Sequence, residues 1–301
     1  MIPDYHIHTW RCGHAAGQME EYIKTARQKG LTEVGFADHI PMYWLLPEQR
    51  DSSLAMREEE LALYLAEISR LQAENPDMTL KVGLEVDYIP GREKELARFL
   101  GKYAFDYLIG AVHYLNGWGF DQAAQQAAYA NKDPIAVYHR YFSLLKEAAL
   151  SGFFDIMAHP DLIKKFNYRL AEEPGSLYLE TAKAFAQAGV CVEVNTAGLR
   201  VPAREIYPSL SFLKVCRLCG VPATVGSDAH RPDQVGYGFK EAIRHLKLAG
   251  YHEVALYSRR YRYTHNIVGT EGQRHRGPKG NENISKLFAR GGNLRGSGEE
   301  L

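Results

Sequence analysis

Five short apolar runs of this chain end in side chains that bind metals: His6-Ile7-His8, Ala37-Asp38-His39, Gly83-Leu84-Glu85, Ala158-His159-Pro160 and Gly226-Ser227-Asp228-Ala229-His230. With His14 and His113 they supply nine imidazoles and carboxylates, namely His6, His8, His14, His39, His113, His159, His230, Glu85 and Asp228. Such donors, without cysteine, suit zinc, manganese or iron and do not choose among them. Nine ligands exceed the needs of one ion. Two ions on the order of 4 Å apart can flank a hydroxide and the oxygens of an in-line displacement at phosphorus, and a third can clamp another phosphate oxygen. The residue types therefore point to a metal-dependent hydrolase carrying two or three divalent ions.

Spacing strengthens this reading. His6 and His8 stand two apart on a strand, so both rings project from one side, and Asp228 and His230 repeat the pattern far downstream. Glu85 follows an apolar run, where a carboxylate is costly to bury without a cation. Taken singly, each has a bland alternative: His113 or His159 as a hydrogen-bonded structural histidine, His39 as an ion-pair partner of Asp38, His14 as an exposed loop residue. What outweighs these is that placement at strand ends accounts for almost all of them together. His139, His245, His252, His265 and His275 are read as lying in helical or tail contexts, with no role in the site.

The elements that must position these ligands alternate regularly. Strand-like apolar runs recur at 5–8, 33–37, 80–86, 107–112, 156–159, 190–194 and 223–225, separated by helical patterns such as Leu61, Leu65, Ile68 and Leu71, or Tyr138, Tyr141, Leu145 and Ala148. Alternation of this kind implies parallel strands with crossover helices, covered on both faces. An open sheet would hold its outermost strand ends too far apart to share a site. A barrel gathers all of them on one rim. The expected fold is thus α/β, a distorted (β/α)7 barrel of the TIM-barrel-like kind, with its metal site at the C-terminal ends of the strands. Gly30 and Gly152 read as helix-terminating residues, and residues 41–51 and 116–133 as insertions that shape or cover the mouth.

Composition narrows the partners. The 301 residues, 46% apolar, suffice for one large domain. Lys plus Arg equals Asp plus Glu at 36 each, which leaves no electrostatic footprint for wrapping nucleic acid; a small anionic substrate fits better. No apolar stretch approaches a membrane span, and a strand begins almost at once after Met1, so a cytoplasmic protein is expected. Cys12, Cys191, Cys216 and Cys219 lack the spacing of a disulfide framework and read as small buried thiols. From about Gly269 apolar periodicity gives way to Gly, Arg, Asn and charged residues, so the barrel is expected over 1–268 and a disordered tail over 269–301.

These motifs carry a family resemblance. His6-Ile7-His8-Thr9, His14, Gly35-Phe36-Ala37-Asp38-His39, Gly83-Leu84-Glu85-Val86-Asp87-Tyr88, His113, Ala158-His159-Pro160-Asp161-Leu162, Glu193-Val194-Asn195-Thr196 and the 226–230 run resemble the polymerase-and-histidinol-phosphatase, or PHP, superfamily. More narrowly, the chain resembles the monofunctional histidinol-phosphate phosphatases of histidine biosynthesis, through softer motifs at 85–88, 117–121 and 195–200. The resemblance covers about residues 2–265. It implies that His6, His8, Glu85 and Asp228 hold one metal, that Glu85 bridges to a second held by His113 and His159, and that His14, His39 and His230 hold a third. It implies hydrolysis of L-histidinol phosphate to L-histidinol and inorganic phosphate, with Glu85, Asp228 and His230 at the chemistry.

For the substrate, Arg200 beyond the sixth strand is the first candidate for a phosphate clamp, since a guanidinium engages two oxygens together; Lys164 or Lys165 is the second. Asp87 and Asp161, each two residues past a ligand, are candidates for meeting the substrate's ammonium or imidazole or for protonating the leaving alkoxide; the alternative for both is to orient a ligand imidazole. Competing readings are a PHP phosphoesterase acting on a nucleotide, a phosphosugar, phosphotyrosine or a nucleic-acid end, and a non-catalytic metal-binding interaction module.

Overall fold

The computed structural model describes residues 2–267. Its elements run β1 (Asp4–Ile7), α1 (Met19–Gln28), β2 (Glu33–Phe36), α2 (Leu61–Glu74), β3 (Thr79–Val82), β4 (Glu85–Asp87), α3 (Glu93–Leu100), β5 (Ile109–Ala111), β6 (Tyr114–Leu115), β7 (Trp118–Gly119), α4 (Pro134–Leu150), β8 (Ile156–Met157), α5 (Gly175–Ala188), β9 (Cys191–Asn195), α6 (Leu210–Leu218), β10 (Ala223–Gly226), α7 (Phe239–Leu248), β11 (Glu253–Ser258) and β12 (Tyr261–Asn266).

Parallel pairing gives one sheet ordered β1-β2-β3 and another ordered β10-β9-β8-β5-β4. Two junctions join them into a ring. β3 continues into β4 through Gly83-Leu84, with Gly83 N–H donating to Phe36 O at 2.8 Å and Ile109 N–H to Leu84 O at 3.0 Å. On the other side His8 N–H donates to Ala229 O at 2.9 Å and Ala229 N–H to His6 O at 3.1 Å. Counting β3 and β4 as one broken strand, seven strands close the ring, in line with the seven apolar runs. The break arises because Tyr107 crosses the interior: a Cβ on either Gly35 or Gly83 would collide with its ring, and its hydroxyl donates to Tyr5 O at 2.7 Å.

The antiparallel β11–β12 hairpin closes the end of the ring away from the ligands. Tyr257 N–H donates to Tyr5 Oη at 3.1 Å, Tyr257 Oη to Asp155 O at 3.1 Å, and Thr224 Oγ1 to Ala255 O at 2.9 Å. Tyr5, Tyr107, Ile109, Ile156, Leu256 and Tyr257 pack there as a separate interior cluster. This hairpin corrects the reading of His252 and His265: the first immediately precedes β11 and the second lies in β12. On the outside, helices pack their apolar stripes against the strands; α5 and α6, for instance, stack Tyr178 on Phe212 at 4.6 Å between ring centroids. The expectation for residues 269–301 falls outside the described residues. Among those described, no helix is long and apolar enough to cross a membrane.

Candidate metal centre

Six of the seven ring strands deliver candidate ligands near the end left open by the hairpin, and β9 delivers none of the nine. His8 follows β1, His39 follows β2, Glu85 opens β4, and His113, His159, Asp228 and His230 follow β5, β8 and β10. His14 arrives differently. A tight turn at Trp10–Cys12, capped by the Thr9 side chain, leads into Gly13 at φ 87°, and a Cβ on Gly13 would run into the Ser52-Ser53 backbone. The 41–51 insertion and the residues after it thereby hold His14, whose Nδ1 faces Cys12 O at 3.0 Å and Ser53 O at 3.1 Å.

Glu85 sits at the centre, with 1% of its surface exposed. Its Oε2 lies 3.2 Å from His6 Nε2, 3.5 Å from His8 Nε2 and 3.0 Å from His39 Nδ1, while Oε1 lies 3.0 Å from His159 Nε2 and 3.5 Å from His113 Nε2. Each oxygen thus faces a different half of the cluster. Asp228 Oδ1 completes the first half, 3.3 Å from His8 Nε2 and 3.9 Å from His6 Nε2. A third group stands beside it: the His230 ring stacks on His8 at 4.1 Å and on His14 at 4.8 Å, and His14 lies 5.2 Å from His39. All nine sequence-expected ligands therefore come together.

A further set of groups orients the rings. His6 Nδ1 pairs with Glu193 Oε1 at 2.7 Å, His113 Nδ1 with Asp87 Oδ1 at 2.8 Å, and His230 Nδ1 with Asp228 O at 3.1 Å. Asp38, bound by the Thr9 N–H at 2.6 Å, lies behind His8. Glu193 does more: its Oε2 accepts the His159 N–H at 2.9 Å and the Asn195 Nδ2 at 3.0 Å. His159 at φ 26° and Asp228 at φ 53° occupy the left-handed region, a strained conformation for such residues. The Glu193 bond and the Arg200 donation to Asp228 O at 2.9 Å hold them there.

Glu193 had a place in the sequence motifs but no assigned role; a carboxylate at the centre of the apolar run Cys191-Val192-Glu193-Val194 was the available signal. Replacing it with Gln should weaken metal affinity or activity by about 10- to 100-fold, read by metal titration of the metal-free protein. Unchanged affinity and activity would show that the His6 ring needs no such anchor.

The electrostatics follow from burying this many ionisable groups together. Burial opposes charge on His6, but Glu193, Glu85 and Asp228 outweigh it and hold this imidazole well above its ordinary range. His113 is likewise buried, yet Asp87 and Glu85 push it up to about 10. Burial wins at His8, helped by the neighbouring His230, and at His230, which falls to about 4. Burial would raise Glu85 and Asp228, but the surrounding histidines, His6 foremost, hold both carboxylates well below their usual values.

The cluster opens on a cleft of about 330 Å³, lined on its other side by Asp121, Leu162, Lys165, Arg200, Val201 and Tyr207. Arg200 is anchored through Nη2 to the Ser227 and Asp228 carbonyls at 2.7 and 2.9 Å. Lys165 pairs with Asp121 at 3.1 Å, joining the 116–133 insertion to the loop after β8.

Two sequence expectations, those for Lys164 and Asp161, are corrected. Lys164 is buried and lies outside the cleft lining, between Asp161 at 2.6 Å and Glu205 at 3.1 Å. Asp161 spends its Oδ2 on that ammonium and on the Ser209 N–H at 2.7 Å. A buried ammonium needs such compensation, so these two residues brace the loop and are absent from the cleft lining. Asp87 takes the orienting alternative, behind His113.

The donor set fits divalent metal. Ligand atoms each about 2 Å from one ion stand roughly 3 to 4 Å from one another, which is the spacing among His6, His8, Glu85 and Asp228. His6 Nε2 and His8 Nε2 are buried and have no hydrogen-bond partner among the described residues, and a cation would supply what those lone pairs lack.

Comparison with known proteins agrees with this geometry. The PHP domain family model matches residues 4–197. The probable histidinol-phosphatase of Deinococcus radiodurans is 39% identical over 249 residues, 82% of this chain and 93% of that protein, and the histidinol-phosphatase of Bacillus subtilis is 30% identical over 261 residues, 79% and 96% of the two chains. The crystal structure of histidinol phosphate phosphatase from Lactococcus lactis, complexed with zinc, L-histidinol and phosphate, shares the fold at a TM-score of 0.73 and 23% identity, covering 85% of this chain and 97% of that one. With nine candidate ligands gathered on a seven-stranded ring, a PHP domain model matching residues 4–197 and these relatives matched over nearly their whole length, the chain belongs to the PHP domain family, alongside its histidinol-phosphatases.

Proposed function

We propose that this protein is a cytoplasmic metal-dependent phosphomonoesterase that hydrolyses L-histidinol phosphate to L-histidinol and inorganic phosphate in histidine biosynthesis. The observation that carries the chemistry is Glu85: one carboxylate, almost fully buried, turns an oxygen to each half of a nine-ligand cluster that opens on a cleft. The relatives named histidinol-phosphatase support the substrate, as does a cleft spanned by the Lys165–Asp121 pair, which suits a small molecule better than a protein loop.

In this reading His6, His8, Glu85 and Asp228 would hold one ion, Glu85, His113 and His159 a second, and His14, His39 and His230 a third, of zinc, manganese or iron. Divalent ions would supply Lewis acidity there for water and for the charge on phosphoryl oxygens. The chain's own groups do the rest. Arg200, with Nη2 committed to two backbone carbonyls, keeps Nη1 buried and, among the described residues, without a partner, a donor in reserve for a phosphoryl oxygen. Lys165 adds a positive charge along the same wall. Glu193 and Asp87 keep the ligand imidazoles in register, so that little reorganisation is needed when substrate arrives.

Replacing Arg200 with Ala should raise KM about 10- to 100-fold, the value of a charged hydrogen bond or two, with metal content unchanged; an unaltered KM would remove it from the phosphate site. The substrate assignment is tested by steady-state hydrolysis with zinc, manganese or iron supplied. Histidinol phosphate should be preferred by orders of magnitude in kcat/KM over an aryl phosphate, a mononucleotide, a phosphosugar and single-stranded DNA. Comparable weak rates on all would keep the phosphoesterase centre and sink this substrate.

A further inference from the structure

Two side-chain donors on the cleft wall formed by the segment after β9 have no hydrogen-bond partner among the described residues: Arg200 Nη1 and Tyr207 Oη. The first has its explanation in the phosphate-binding role given above. The second has none. Tyr207 is 1% exposed, and a buried hydroxyl left without a partner costs about 1–3 kcal/mol, so its retention at a ligand cleft calls for a bond made only when the cleft is filled.

The residue is held in place from several directions. Its backbone is bridged to the end of β9, with Asn195 N–H donating to Tyr207 O at 2.7 Å and Tyr207 N–H to Asn195 O at 2.9 Å. Asn195 in turn reaches Asp228 Oδ2 through Nδ2 at 3.4 Å, which ties the position of Tyr207 to a metal ligand. A Cβ on Gly198 would stand 3.0 Å from Tyr207 Cζ, so the turn at Ala197–Arg200 packs directly on the ring end. The Lys164 ammonium lies 5.3 Å from the ring centroid. A donor fixed this way loses little freedom on binding substrate, the condition under which a single hydrogen bond counts most.

We propose that Tyr207 is a further catalytic residue, its hydroxyl donating a hydrogen bond to a non-bridging phosphoryl oxygen beside Arg200. The inference rests on the phosphomonoesterase reading and extends it to a residue the metal cluster does not include. The proton stays on the phenol throughout; the bond strengthens as charge gathers on the phosphoryl oxygens. Because the donor serves the phosphoryl group and not the leaving group, its loss should be felt whatever alcohol departs.

The test is Tyr207→Phe in the metal-loaded full chain, measured against histidinol phosphate and p-nitrophenyl phosphate, with inhibition by inorganic phosphate and the thermal unfolding midpoint taken in parallel. The expected result is a fall in kcat/KM of about a hundredfold on both esters, a phosphate inhibition constant raised about tenfold, and a midpoint within a few degrees of wild type, since no hydrogen bond to another described protein group is lost. Unchanged kinetics would overturn the proposal. So would a loss confined to histidinol phosphate with phosphate inhibition intact, which would assign the hydroxyl to the leaving group, and so would a midpoint lowered by roughly 10 °C or more, which would give it a structural partner. A wild-type protein that hydrolyses the aryl ester but not histidinol phosphate, with the aryl rate still lost in the variant, would leave Tyr207 standing and remove only the substrate reading.

Discussion

Glu85→Gln should abolish phosphatase activity, lowering kcat/KM by at least about a thousandfold, roughly 4 kcal/mol of lost transition-state stabilisation. The side chain keeps its size, so the fold should survive. What changes is the central negative charge. In the wild type Oε2 faces His6, His8 and His39 while Oε1 faces His159 and His113, and both halves depend on an anionic oxygen. A glutamine offers one neutral carbonyl oxygen, and its NH2 confronts imidazole nitrogens that must themselves act as donors to metal. Removing one partner from a buried charged network costs more than any exposed pair would. Elemental analysis of the purified variant should show the two ions that share Glu85 depleted, while circular dichroism stays native. An active, fully metallated variant would show that no ion depends on this carboxylate. The contrast with Glu193→Gln, about 10- to 100-fold, is part of the prediction: one carboxylate lies between the ligands, the other only steadies His6 and the His159 backbone.

The strands and the clustered candidate ligands were legible in the sequence for the same reason. A buried parallel strand is a short apolar run, and a polar metal-binding cluster directly after it is conspicuous, so both element and ligand could be read at His6, His39, His159 and Asp228. The break between β3 and β4 was not legible, because it depends on Tyr107 passing Gly35 and Gly83, residues brought together only by ring closure. The terminal hairpin was missed because β12, Tyr-Arg-Tyr-Thr-His-Asn, is exposed or half-buried throughout and shows no apolar face. The roles of Asp161 and Lys164 failed for a related reason. Their three-residue spacing already permitted an internal ion pair, but only burial shows that both spend their charges on each other and on Glu205 and Ser209. Tyr207 carries no chemistry in its sequence context and gains it only from an orphaned hydroxyl at the cleft.

Stripping the metal with a chelator should eliminate activity and lower the unfolding midpoint by on the order of 10 °C, with both restored on adding back a divalent ion. A ligand that binds only the folded chain stabilises it by about 4.1 kcal/mol at a thousandfold excess over its Kd, and for a chain of this size each kcal/mol moves the midpoint by roughly 2–4 °C. The histidines decide how pH enters. In the metal-free protein His113 is raised from 6.5 to about 10 by Asp87 and Glu85 acting against its burial. Its contribution to stability is therefore complete below about pH 6.5 and lost as pH rises through about 10. His230 runs the other way: lowered by burial to about 4, it contributes fully above about 6.5 and loses that contribution as pH falls toward 4. Metal requires neutral imidazole, so His6, held well above its ordinary range, and His113, raised to about 10, must surrender protons on loading near neutral pH, whereas His8, His14 and His230, all lowered, have none to give. Calorimetric titration of the metal-free protein with zinc, in buffers of different ionisation enthalpy at pH 7.5, should therefore record net proton release, and affinity should rise with pH. Zinc binding without proton release would mean that the carboxylates Glu85, Asp87 and Glu193 do not hold these rings charged, and that the cluster is poised for metal by geometry alone.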